Sequence, residues 1–173
     1  DGSQPFSALV REAKQLGYTE PDPRDDLDGR DVARKLVILA RELGLATELA
    51  DVEVDSLVPA ELAAGSIDDF LARLPELDAA MQARLEAARA NGDVLRFVAS
   101  LDATGQARVG LRALPASHAF ANGKLTDNFV QFTTARYNKN PLVVQGPGAG
   151  PEVTAAGVFA DLLRVAAYLG ARV

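Results

Sequence analysis

The stretch Val94-Leu95-Arg96-Phe97-Val98-Ala99-Ser100-Leu101, Asp102-Ala103-Thr104-Gly105, Gln106-Ala107-Arg108-Val109-Gly110-Leu111 is where the chain changes character. Two strand-like runs flank a short turn, a hairpin pattern. Leu95, Phe97 and Ala99 alternate with Arg96, Val98 and Ser100, while Ala107, Val109 and Leu111 alternate with Arg108 and Arg112. Both alternating sets hold apolar members, more than a face turned to water requires. One face is expected beneath helices. The other has bulk solvent, a partner subunit or a further domain to meet.

Upstream of this hairpin the period is helical. Phe6, Leu9, Val10, Ala13 and Leu16 recur at helix spacing, and Gly17 is placed to close that helix as its C′ residue. Asp28 reads as the N-cap of a second helix, with Asp31 three residues on, an apolar face of Val32, Leu36, Val37, Leu39, Ala40 and Leu43, and Gly44 at its end. Val52 to Val58 suggests a short strand region. Residues 68–74 suggest a short helix stopped by Pro75. Leu77, Ala80, Met81, Arg84, Leu85 and Ala88 stripe a longer helix closed by Asn91-Gly92. Downstream, Ala119–Ala121, Phe129–Thr134 and Leu142–Gln145 are strand candidates, and a helix is expected from about Pro151 to Leu169. Helices, then strands, then one helix predict an α+β fold: a mixed β-sheet with helices on one face. A complete doubly wound nucleotide-binding domain would alternate strand and helix throughout.

Composition narrows the function classes. The 173 residues suffice for one domain with a real core, and 48% hydrophobic and 24% charged residues are ordinary globular values. A net charge of −6 argues against a general affinity for nucleic acid or anionic membrane. The absence of cysteine removes disulfides, thiolate catalysis and cysteine metal sites. No apolar run approaches the roughly 18 residues of a membrane helix. The start Asp1-Gly2-Ser3-Gln4-Pro5 resembles no signal peptide, and without an initiator Met the chain is expected to be part of something longer. His118, the single histidine, is expected to be structural, and no metal site is expected. Arg24 among Asp22, Asp25 and Asp26 points to internal ion pairs rather than a bound cation.

The densest chemistry lies between Gly17 and Lys35. Two prolines and five acids, the N-cap Asp28 included, lie between Gly17 and the body of the second helix. It reads either as a solvated loop, with Asp31 and Lys35 a surface i,i+4 pair, or as the mouth of a cleft. In the second case Asp31 binds an amino or hydroxyl group. Lys35 donates a proton to an oxygen gaining negative charge, and Glu20 supplies a carboxylate for an ammonium.

The run Ala13-x-x-x-Gly17-Tyr18-Thr19-Glu20-Pro21-Asp22-Pro23-x-x-Asp26-Leu27-x-Gly29-x-Asp31-x-x-x-Lys35 resembles the signature of homoserine dehydrogenases, without departure. Gly146-Pro147-Gly148-Ala149-Gly150-Pro151-Glu152-Val153-Thr154-Ala155-Ala156-Gly157-Val158 resembles the family's C-terminus. The resemblance thus runs nearly end to end, and the chain as a whole is similar to the homoserine dehydrogenase half of the bifunctional aspartokinase–homoserine dehydrogenases. The resemblance implies reversible, NADP- or NAD-dependent reduction of aspartate 4-semialdehyde to homoserine, in threonine and methionine biosynthesis. By motif position Gly17 and Glu20 bind the amino-acid end of the substrate, Asp31 holds its amino or hydroxyl group, and Lys35 is the proton donor. Asp22, Asp25 and Asp26 build the loop. The resemblance further implies a homodimer formed through the sheet, a cytoplasmic setting, and a nucleotide-binding domain before residue 1. Residues 1–150 are then the substrate-binding and catalytic domain, and 151–173 a helix returning to that nucleotide-binding domain. The chain alone is expected to be inactive, with no cofactor bound.

The glycine-rich end is either a plain turn or a helix start open to an anion. It is not a G-x-G-x-x-G fingerprint. By family position Gly150, and after it Thr154, are the cofactor-contact candidates. Two rival functions stay open: a regulatory domain that binds an amino acid zwitterion through Glu20, Asp31 and Lys35, and a pure dimerisation module, which needs apolar residues left over on a sheet face.

Overall fold

The computed structural model describes residues 2–123, 127–148 and 150–171. Asp1 and Ala149, both quoted above, lie outside them. The chain forms two compact units, Asp1–Ala116 and Ser117–Val173.

In the first unit α1 (Phe6–Gln15), the single turn α2 (Arg24–Leu27) and α3 (Arg30–Glu42) precede a two-residue strand, β1 (Glu53–Val54). After α4 (Ile67–Arg73) the chain makes a 3-10 turn, Leu74–Leu77, and enters α5 (Asp78–Ala90). Pro75 ends α4 as expected but leaves no gap, because a proline in the first turn of a new helix lacks only an N–H that would go unbonded anyway. β2 (Asp93–Leu101) and β3 (Ala107–Pro115) form the predicted hairpin, with β3 longer than its apolar run suggested. Asp102 builds the turn: its Oδ1 accepts from the N–H of Thr104 at 2.8 Å and of Gln106 at 3.0 Å.

The sheet order is β1-β3-β2, with β1 parallel and β2 antiparallel to β3, so the sheet is mixed. The register pairs Phe97 with Leu111, Ala99 with Val109 and Leu101 with Ala107. That apolar face lies under α3, whose Ala33, Leu36 and Val37 form a core with Val52, Ala107 and Val109. The other face pairs Arg96 with Arg112, Val98 with Gly110 and Ser100 with Arg108. A second core gathers Val10, Val58, Leu62, Phe70 and Leu74, with Leu27 packed against it. Burial of a side chain as large as Phe70, 1% exposed, contributes roughly 1.5–3 kcal/mol.

In the second unit β4 (Asp127–Phe132) and β5 (Leu142–Pro147) form a two-stranded antiparallel ladder, followed by α6 (Pro151–Tyr168). The strand expected over Ala119–Ala121 is instead a 3-10 turn, Ala119–Asn122. The His118 ring turns the backbone there: its Nδ1 accepts the Phe120 N–H at 3.2 Å, and its carbonyl accepts the Ala121 N–H at 2.9 Å. Those groups would otherwise serve a strand ladder.

Candidate active site

The site is assembled by the exit from α1 and the entry to α3. α1 closes through two bonds, Gly17 N–H to the Lys14 carbonyl at 3.1 Å and Tyr18 N–H to the Ala13 carbonyl at 2.9 Å. This is the glycine C′ closure predicted from sequence. The chain then enters the acidic loop, which internal bonds hold in shape. The Asp26 carboxylate accepts the Glu20 N–H at 2.9 Å. The Lys14 ammonium donates to the Pro21 carbonyl. Pro23 is buried. Asp22 forms an ion pair with Arg24 at 2.7 Å, and this hydrogen-bonded guanidinium, above all other causes, holds the Asp22 carboxyl below the usual carboxylate range.

Entry to α3 differs from expectation by one residue. Gly29, not Asp28, is the N-cap, at φ 78°. Asp28 still works there, accepting the Arg30 N–H at 2.8 Å and pairing with the Arg30 side chain at 2.6 Å. Glycine is required twice over at position 29. The left-handed φ disfavours a side chain, and an added Cβ would lie 2.9 Å from Phe97 Cζ and 3.0 Å from Val54 Cγ1. This close approach seats the start of α3 against the sheet.

One turn into α3, Lys35 Nζ lies 2.7 Å from Asp31 Oδ2, with the two side chains 66% and 59% exposed. They share the wall of an open cavity of about 560 Å³ with Glu20, Asp26, Asp28 and Arg34. A neighbouring cavity of about 440 Å³ has Asp22, Arg24, Ser56, Val58 and Ala63 in its wall. Among the described residues, no cation pairs with the Glu20 carboxylate. The structure therefore brings together Glu20, Asp31 and Lys35. Gly17 is not in the cavity wall; it fixes where the loop begins. Arg34 also faces the cavity, which sequence reading did not anticipate; its i,i+3 spacing from Asp31 was the available signal.

Gly150 and Thr154 belong to the second unit. Gly150 caps α6 at φ 123°, with nothing within 4 Å of an added Cβ. Thr154 donates both its N–H, at 3.1 Å, and its hydroxyl, at 3.0 Å, to the Gly150 carbonyl. Gly148 has a packing reason for being glycine, because a Cβ there would overlap the Asn128 amide. Among the described residues no group of three or more His, Asp or Glu side chains is arranged to hold a metal. No helix there is long and apolar enough to cross a membrane.

These features define an α+β domain with a polar, ion-paired cleft suited to a small charged ligand. A family model for homoserine dehydrogenase matches residues 1–163, and the chain belongs to that family. It is 53% identical over 173 residues to bifunctional aspartokinase/homoserine dehydrogenase 2 of Zea mays, a chloroplastic protein, covering 99% of this chain and 19% of that one. To the homoserine dehydrogenase of Emericella nidulans it is 52% identical over 170 residues, covering 94% of this chain and 46% of that protein. The chain thus spans about a fifth of its bifunctional relatives and about half of its single-function ones. Among solved structures, a Candida auris protein of unknown function matches with a TM-score of 0.88 at 45% identity, covering 96% of this chain and 47% of that one. A homoserine dehydrogenase from Thiobacillus denitrificans matches with a TM-score of 0.71 at 26% identity, covering 94% of this chain and 33% of that one.

Proposed function

We propose that this chain is the substrate-binding and catalytic part of an enzyme that interconverts L-homoserine and L-aspartate 4-semialdehyde with NADP or NAD. The observation that carries the reading is the Asp31–Lys35 pair on a cavity wall shared with the Glu20 carboxylate, which pairs with no cation among the described residues. Glu20 takes the substrate ammonium. Asp31 accepts a hydrogen bond from its amino or hydroxyl group and orients the Lys35 ammonium. In the reducing direction Lys35 gives a proton to the aldehyde oxygen as the carbon gains hydride, so the developing alkoxide is neutralised where it forms. In oxidation the neutral amine takes that proton back. Gly17 acts at the substrate's amino-acid end by fixing the turn from which Glu20 is presented.

The bound nicotinamide supplies and receives the hydride. The α6 entry fits its approach, because the backbone at Gly150 is open and unhindered by a side chain. Gly150 and Thr154 are the contacts we assign to it. A nucleotide-binding domain preceding residue 1 holds the rest of the dinucleotide, and residues 151–173 return to that domain while 1–150 carry the substrate. The enzyme serves threonine and methionine biosynthesis in the cytoplasm and works as a homodimer through its sheet. The face of β2 and β3 turned away from α3 supports that pairing, since Val94, Val98 and Leu114 lie on it, each only half-buried.

The chain alone is expected to fold without turning over homoserine, whereas the longer protein that contains it oxidises homoserine with NADP or NAD. Failure of the longer protein to do so defeats the reading. So does turnover by the 173-residue chain at the rate of the longer one, because it would leave no role for the preceding domain. Light scattering across a dilution series tests the pairing: persistence of a monomer at high micromolar concentration excludes it.

A further inference from the structure

Arg24 is held more completely than the other side chains of the acidic loop. Nε donates to both oxygens of Asp22 at 3.0 Å, and one terminal nitrogen donates to Asp22 Oδ2 at 2.7 Å. The other terminal nitrogen donates to two backbone carbonyls, Ala63 and Gly65, each at 3.2 Å. The guanidinium carbon lies 5.6 Å from the centroid of the Phe70 ring, in the second core. Only 15% of the side chain is exposed. A planar fork with fixed donor directions does this; a lysine, with one point charge, does not.

The consequence concerns Glu20. Its carboxylate projects from a loop with no regular ladder of its own, and four residues later that loop is riveted by Arg24 to the segment before α4. Asp26 completes the brace by holding the Glu20 N–H. We infer that Arg24 is a positioning residue that sets the place of the Glu20 carboxylate, and so the affinity for an α-amino-acid substrate. It has no part in the proton transfer at Lys35. The inference rests on the dehydrogenase reading above. Arg24 lines the neighbouring cavity rather than the one that holds Glu20, Asp31 and Lys35, so it acts through the loop.

The test is steady-state homoserine oxidation in the longer protein, below the melting temperature of every variant. Arg24→Gln is expected to raise KM for homoserine about tenfold with kcat within about threefold and KM for the nicotinamide unchanged. Arg24→Lys, which keeps the charge but not the fork, falls between. Because Arg24 acts through Glu20, Glu20→Gln with Arg24→Gln should cost no more than the worse single variant, whereas independent effects would multiply. A folded Arg24→Gln with unchanged homoserine KM overturns the inference, and so do multiplicative effects in the double variant. Should Arg24→Gln fail to fold, Asp22→Asn removes one side of the fork and is read by the same two criteria. A parent protein with no homoserine turnover defeats the dehydrogenase reading and this inference together. Turnover with a homoserine KM insensitive to Arg24 defeats this one alone.

Discussion

Lys35 pairs with Asp31 on the exposed side of α3, while the same helix buries Ala33, Leu36 and Val37 on its other side. An ion pair this exposed contributes roughly 0.2–1 kcal/mol to stability, so the fold alone gives little reason for it. Lys35→Ala in the longer protein is expected to leave the melting temperature nearly unchanged and to lower kcat by about two orders of magnitude or more, as for a lost general acid. A kcat that holds while KM rises would reassign Lys35 to binding alone. Gly29 is the opposite case, a residue without a side chain on which the geometry depends. Gly29→Ala is expected to destabilise the first unit by about 1–3 kcal/mol, since it adds backbone strain and an overlap with Phe97 and Val54. Thermal melts of the chain measure it, and an unchanged midpoint would show that the sheet yields at no cost.

The C-terminal ends of helices and the hairpin were the most legible elements, because their signals are local. Gly17 and Gly44 close α1 and α3 by bonds within the last turn, and Asp102 folds its own turn with groups two and four residues on. The Asp31–Lys35 pair was legible for the same reason, being one helical turn long. What was not legible depends on contacts distant in sequence or on a competing local bond. Nothing near Arg24 announces that Ala63 and Gly65 will accept from it, about forty residues away. Ala119–Ala121 carried no turn signal of its own, and the bond that bends it comes from a histidine ring just outside. The chemistry of Asp28 suits a cap, but Gly29 alone fits the space at the sheet. At α4 the cap is again local to the sequence. Ser66 and Asp69 form a reciprocal box there, with the Ser66 hydroxyl accepting the Asp69 N–H at 3.0 Å. Ser66→Ala is expected to cost about 1 kcal/mol, read as a lower denaturant midpoint at constant slope. A larger loss would mean that α4 also sets the Gly65 carbonyl for Arg24.

At the scale of the whole molecule, acid should be the condition that undoes the loop and its neighbours together. Among the described residues of the first unit, four carboxyls are held below their ordinary range, each chiefly by a side-chain hydrogen bond: Asp22 by Arg24, Asp69 by Ser66, Glu76 by Arg73 and Asp102 by Thr104. A carboxyl with a depressed folded-state pKa binds its proton more readily in the unfolded chain. Its contribution is therefore complete above the unfolded value of about 4, and it is lost as pH falls through the lower folded value. The melting temperature should stay nearly level from pH 7 to about pH 5 and begin to fall below about pH 4, only modestly on account of Asp69, Glu76 and Asp102, which are exposed and screened by solvent. Asp22 should account for a distinct share, since its partner is the least exposed of the four and also holds Ala63 and Gly65. Asp22→Asn should lower stability at neutral pH and flatten the acid limb, so that mutant and parent curves converge as pH drops. Two parallel curves, displaced equally at pH 7 and pH 3, would show that the Asp22–Arg24 bond contributes through packing and not through its charge.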